Sequence, residues 1–165
     1  MNSAGIVLRP STPEIRDDFF KLKEILQKYN ITTTLEENSA LMIGERGENL
    51  KSICEKCDFL ISFGGDGTLI STVRQSFHHS IPILAIHAGN LGFLANISLE
   101  ESDEFIEKMV NGNYKIDERA VLEATVVKNA QELKMYAFND VVLTRTRVSN
   151  MIHIQALVDS QLFNT

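Results

Sequence analysis

An α/β fold is predicted, with a Rossmann-like parallel sheet and its helices over residues 1–112 and the start of an all-β domain over residues 113–165. Apolar runs of strand length alternate with apolar residues at helical spacing over the first stretch. The most apolar run, residues 59–63, opens into glycines wrapped around one acid, and after Gly112 the period changes from helical to alternating. Strand–helix alternation argues for right-handed crossovers, which put every strand-to-helix loop on one edge of the sheet.

Residues 4–8 form a short apolar strand broken by Pro10, and Ser11-Thr12-Pro13-Glu14 starts a helix, with Glu14 in capping-box position relative to Ser11. That helix runs to about Tyr29, carrying Ile15, Phe19, Leu22, Ile25, Leu26 and Tyr29 on one face and Asp17, Asp18, Lys21 and Lys28 opposite. Residues 31–35 read as a second strand, the stretch around Gly44 and Gly47 as a polar loop, and Leu50, Ile53 and Cys54 as a short helix. Residues 82–87 are a further strand. Ser98-Leu99-Glu100-Glu101 caps a helix with Phe105, Ile106, Met109 and Val110 on its inner face, closed by Gly112. Beyond it, strands are expected over residues 121–127, 133–143 and 151–158, with Asn139-Asp140 interrupting the second. The sheet edges of this β region are left unpaired, so the domain reads as incomplete.

The stretch Gly64-Gly65-Asp66-Gly67-Thr68 follows a buried strand and precedes Leu69, Ile70 and Val73 at helical spacing. Glycines there let backbone N–H groups approach an anion closely, and the helix adds its positive end, so the expected guest is phosphate. A carboxylate beside a phosphate repels it unless it holds a metal ion or takes a proton from an attacking hydroxyl. Asp66 is therefore read as chemical, the alternative being a turn residue that caps the helix. The loop is not a Walker loop, because no Gly-Lys-Ser/Thr follows, and it lacks the dinucleotide G-x-G-x-x-G spacing.

A formal charge of −6 and basic residues that form no stripe argue against a nucleic-acid surface. No apolar run approaches the roughly 20 residues needed to span a bilayer, and the N-terminus lacks a basic-then-apolar leader, so a cytoplasmic protein without a membrane partner is expected. Cys54 and Cys57 form a C-x-x-C at the end of a helix rather than at its start, where the dipole would activate a thiol; buried, reduced thiols are expected. In the loop Gly89-Asn90-Leu91-Gly92-Phe93-Leu94, Phe93 either walls a site for a flat ring or tucks into the core with Leu94. Asn139-Asp140 is either a ligand contact or a bulge. Arg145 and Arg147 alternate on one strand face and are read as a solvated pair, the alternative being contact with phosphate, and His78, His79 and His87 are assigned no role.

In this order, Gly64-Gly65-Asp66-Gly67-Thr68, Gly89-Asn90-Leu91-Gly92-Phe93-Leu94, Glu118-Arg119 and Asn139-Asp140-Val141-Val142 follow the pattern of NAD kinases. Over nearly its whole length the sequence resembles the N-terminal half of a bacterial NAD kinase. The resemblance implies phosphoryl transfer from ATP, or polyphosphate, to the 2′-hydroxyl of the adenosine ribose of NAD, giving NADP. It implies that Asp66 draws the hydroxyl proton, that Gly64, Gly65, Gly67 and Thr68 hold phosphate, and that Asp66, Gly67, Phe93, Leu94, Asn139, Asp140 and Asn150 contact NAD. It also implies a divalent ion, Mg²⁺, and a homo-oligomer of two or four chains. The alternatives are a lipid kinase of the diacylglycerol type, whose loops are similar, and a nucleotide-binding module without catalysis. Lipid kinases carry Pro-x-Gly-Thr-x-Asn-Asp where this chain has residues 86–93, which speaks against the first. The family's Asp and Thr-Pro-Thr-Gly-Ser-Thr-Ala-Tyr run, expected soon after Asp159, is absent, so this chain by itself is expected to be inactive.

Overall fold

Parallel pairing joins β1 (Ser3–Leu8), β2 (Thr32–Leu35), β3 (Phe59–Gly64), β4 (Ile83–His87) and β5 (Ile97–Ser98) into a five-stranded sheet of order β2-β1-β3-β4-β5. The computed structural model describes residues 1–89, 91–144 and 153–164, with the backbone alone of Asn164. All six residues of β3 are buried, as expected of a central parallel strand covered on both faces. One face carries α1 (Arg16–Lys28) and α5 (Leu99–Val110), and its core joins Phe19, Leu22, Ile61, Phe63, Ile86 and Ile106. Lys28 Nζ and Tyr29 Oη both donate to Asp103 at 2.9 Å and tie the end of α1 to α5. The other helices are α2 (Glu37–Ile43), α3 (Leu50–Lys56) and α4 (Asp66–Ser76). At Gly5 a side chain would collide with Ile53 of α3 and with Leu60, so this glycine serves close packing.

The strand order fixes where a ligand fits. From β1 the chain crosses to β2, returns through α2 and α3 past β1 to β3, and continues to β4, so its direction reverses between β1 and β3. At such a reversal the loops beyond the carboxyl ends of the two strands part and leave a crevice.

Several expectations are corrected here. The stretch before Gly44 is not all loop: α2 forms because the Glu36 carboxylate accepts from the Asn38 and Ser39 amides at 2.9 Å, and Gly44 ends the helix at φ 75°. The capping box proposed at Ser11 is not made. Ser11 sits at φ 55°, a 3-10 turn over Pro13–Ile15 precedes α1, and the Thr12 hydroxyl is engaged by Arg9 instead. The box at Ser98 and Glu101 is formed, with both bonds present at 2.9 and 3.1 Å. The short strand β5 was not foreseen.

After α5 the chain forms two hairpins, β6 (Leu122–Lys128) with β7 (Gln131–Ala137), and β8 (Ala156–Val158) with β9 (Gln161–Asn164). Asn129 and Ala130 turn the first at φ 52° and 60°, and Asp159 and Ser160 turn the second at 49° and 67°, the left-handed pair whose twist matches the flanking strands. The strand expected over residues 133–143 stops at Ala137 because its partner ends at Leu122; Asn139-Asp140 follows the strand rather than interrupting it. The strand expected over residues 151–158 begins only at Ala156 in the described residues, and the chain doubles back as β9. The first hairpin rests on the 3-10 turn over Phe77–His79 that follows α4, with the Tyr136 ring 4.7 Å from Phe77 and 5.5 Å from His78.

Candidate active site

The glycine loop begins where β3 leaves the core. A side chain at Gly64 would strike Thr68 and the Cβ of Arg9, so the strand end must be bare for α4 and β1 to close on it. Gly65, the N-cap of α4, and Gly67 have nothing within 4 Å of where a Cβ would stand. Protein packing does not demand glycine at these two positions, which leaves open space in front of amides that have no intrahelical partner. That space suits an anion.

Asp66 is the first residue of α4, and its carboxylate does not turn back to cap the helix. Oδ2 accepts from the Phe93 amide at 2.9 Å, and Oδ1 accepts from the amides of Leu94 and Ala95 at 3.0 and 2.9 Å. Its carboxyl is held below the ordinary value, first by the Ala95 amide and next by that of Phe93, with Leu94 adding and partial burial opposing. Gly92 lies against this carboxylate so closely that any side chain there would overlap it. The Phe93 ring is fully exposed and Leu94 half-buried, so the reading that tucks both into the core is corrected. Ala95 takes the buried place instead.

On the other flank of the glycine loop, a cleft of about 800 Å³ opens beyond the ends of β1 and β3. Arg9, Pro10 and Ser11 line one side, Asn38, Ser39, Leu41 and Met42 of α2 another, and Gly65, Gly67 and Thr68 the third. Ser39 Oγ accepts from the Leu8 amide at 3.0 Å and donates to Glu36 at 2.8 Å, which fastens α2 to the end of β1. Burial disfavours charge on Glu36, but its bonds from the amides and side chains of Asn38 and Ser39 outweigh that and keep the carboxyl below its ordinary value. Chemically, the site offers a phosphate-sized space at a helix start, with a charged carboxylate and an exposed aromatic ring beside it.

The model of the ATP-NAD kinase N-terminal domain family matches residues 5–114. The chain belongs to that family. An NAD kinase of Sulfurimonas denitrificans is 63% identical over all of this chain, which spans 58% of that relative. An NAD kinase of Wolinella succinogenes is 37% identical, again over all of this chain and 57% of the relative. The chain thus spans less than two thirds of the curated relatives it matches. A yeast NADH kinase solved in complex with NADH shares the fold, with TM-score 0.83 at 20% identity over 99% of this chain and 54% of that one.

Not every residue expected in the site of a family member is brought to it. Asn139 and Asp140 are exposed beyond β7, and among the described residues no hydrogen bond joins them to Asp66 or its loop. Asn90, Asn150, Arg145 and Arg147 lie outside the described residues. Cys54 and Cys57 are free, half-buried thiols, and burial raises both above the ordinary value, the opposite of an activated redox pair. Arg9 and α2 were missed by the sequence reading. Glu36 and Gly44 at opposite ends of an Ala-Leu-Met-Ile segment were the available signal for the helix.

Gly92→Ala tests the joint between the two loops. The new methyl group displaces either the carboxylate or the amides that hold it, and in this chain joined to the C-terminal part of the Sulfurimonas denitrificans relative the rate of NADP formation is expected to fall about tenfold, equivalent to roughly 1.4 kcal/mol of lost transition-state stabilisation. Steady-state rates with an unchanged melting temperature would bear this out; wild-type rates would show that the fit of Gly92 on Asp66 is irrelevant to the reaction.

Proposed function

We propose that this chain carries the phosphoryl-transfer site of an NAD kinase, which moves the terminal phosphoryl group of ATP, or of polyphosphate, to the 2′-hydroxyl of the adenosine ribose of NAD. The observation that carries the reading is the placement of the Asp66 carboxylate between an anion-receptive glycine loop and the exposed loop of Phe93. Family membership and the 63% identical NAD kinase support it.

In this reading the ribose oxygen forms the new P–O bond, the bond to the donor's bridging oxygen breaks, and the hydroxyl proton passes to Asp66 and on to solvent. Gly64, Gly65, Gly67 and Thr68 hold the phosphates, and Asp66, Gly67, Phe93, Leu94, Asn139, Asp140 and Asn150 face NAD. Among the described residues no group of three or more His, Cys, Asp or Glu side chains could cage a metal ion. We therefore assign no residue to Mg²⁺; a divalent ion would arrive on the donor's phosphates, whose charge it neutralises.

We take residues 1–112 and 113–165 as two domains, supported by the separate sheets. A cytoplasmic homo-oligomer of two or four chains belongs to the same proposal; no described helix is long and apolar enough to cross a membrane. The test is NADP formation from NAD or NADH with ATP or polyphosphate, by this chain joined to the C-terminal part of the Sulfurimonas denitrificans relative, the extended chain below. Product from NAD is expected. Phosphorylation of diacylglycerol without NADP, or tight NAD binding without turnover, would overturn the reading.

A further inference from the structure

We propose that the cleft beyond the ends of β1 and β3 receives the phosphoryl donor and that Arg9 contacts its terminal phosphate, an inference that rests on the phosphoryl-transfer reading above. Arg9 leaves the end of β1 with its amide bonded to the Phe63 carbonyl at 2.9 Å, and its Cβ lies over Gly64, where a larger residue would exclude it. Nε donates to Thr12 Oγ1 at 3.0 Å and Nη1 to the Ala88 carbonyl at 3.4 Å. The guanidinium thus spans the gap from the β1 turn to the loop that follows β4, across the glycine loop. Only two of its five N–H groups are engaged among the described residues, and no carboxylate there pairs with it.

It is the one cation in the described lining of the cleft. The acid that shares the lining, Glu36, is committed to the first turn of α2 and to Ser39. A planar guanidinium fixed at two points is suited to bidentate contact with a phosphoryl group, and its charge is aimed where negative charge gathers during transfer.

The cleft also specifies what lies behind the phosphates. Leu41 is 81% exposed on the cleft wall beside Met42, an apolar surface that a nucleobase would cover. The Asp66 carboxylate is held on the opposite flank of the glycine loop, by the amides of residues 93–95. Donor and acceptor therefore approach α4 from opposite sides, the donor from the flank of Arg9 and the acceptor from the flank of Asp66. The donor is a nucleoside triphosphate, with the phosphate chain at Arg9 and the base at Leu41.

Calorimetric titration of the extended chain with ATP, with inorganic tripolyphosphate and with NAD tests this. Arg9→Met should weaken both ATP and tripolyphosphate by roughly 10- to 100-fold, the range for hydrogen bonds to a charged group, while NAD affinity stays within about twofold. Arg9→Lys, which keeps a charge and a stem on Gly64, should recover part of the loss. Leu41→Ser should weaken ATP and leave tripolyphosphate unchanged. Equal ATP affinity in wild type and Arg9→Met, or a loss for NAD as large as that for ATP, would overturn the proposal. NADP formation by a wild type whose ATP binding ignores Arg9 would sink this inference alone; Arg9-dependent ATP binding without NADP formation would sink the NAD kinase reading and leave the cleft assignment standing.

Discussion

Asp66→Asn in the extended chain is expected to lower turnover by about 10²–10⁴-fold, the usual scale for losing a positioned proton acceptor. The asparagine keeps one acceptor oxygen but turns an NH₂ group toward amides that need an acceptor, so the loop of residues 93–95 loosens as well. NAD affinity should therefore fall, but by much less than turnover. A mutant with near-normal turnover would show that Asp66 only ties two loops together.

The depressed pKa of Asp66 sharpens this prediction. In the proposed reaction a carboxylate held charged by three amides is a weak base, so it would orient the hydroxyl first and take its proton only late in a loose phosphoryl-transfer transition state. The pH profile follows. The folded value is lowered, so the carboxylate is charged, and its bonds to the amides are present, above the unfolded value near about 4. That contribution is lost only as pH falls through the lower folded value. The rate should show no acid limb from Asp66 between about pH 5 and 8, and a limb in that window that disappears in Asp66→Asn would contradict the hydrogen-bond geometry.

The second large effect is expected from length. The 165-residue chain by itself should form no measurable NADP and bind NAD poorly, whereas the extended chain should do both. Binding must first offset on the order of 4–15 kcal/mol of lost ligand freedom, so a pocket deprived of a large share of its contacts can retain no net attraction. The β region shows what is uncovered: Val127, Leu133, Leu157 and Phe163 are 58–77% exposed, on hairpins of two strands each. Hairpins of that size hold together only against a partner surface, and open apolar edges self-associate. Comparable NADP formation and a monomeric sedimentation profile for both lengths would refute the prediction.

Local residues were enough to specify β1, β3, β4, α1 and α5, because each is a contiguous pattern: apolar runs cut by proline or glycine, a helical stripe, or a Ser–Glu capping box. The glycine–aspartate loop was legible for the same reason, since its strand, turn and helix are adjacent in the chain. What tertiary structure alone decided was the partner of Asp66. The groups that hold it are backbone amides 27–29 residues away, and every residue but proline has such an amide, so no side-chain pattern announces them. Arg9 was silent likewise, because its place over Gly64 depends on β1 and β3 being neighbours although they lie far apart in the chain. The seven-residue α2 is too short to be stable on its own propensity and exists through its Glu36 cap and the bond from Leu8 to Ser39. The end of β7 was hidden for a related reason: alternation continues in the sequence past Ala137, but a strand lasts only as long as its partner's ladder.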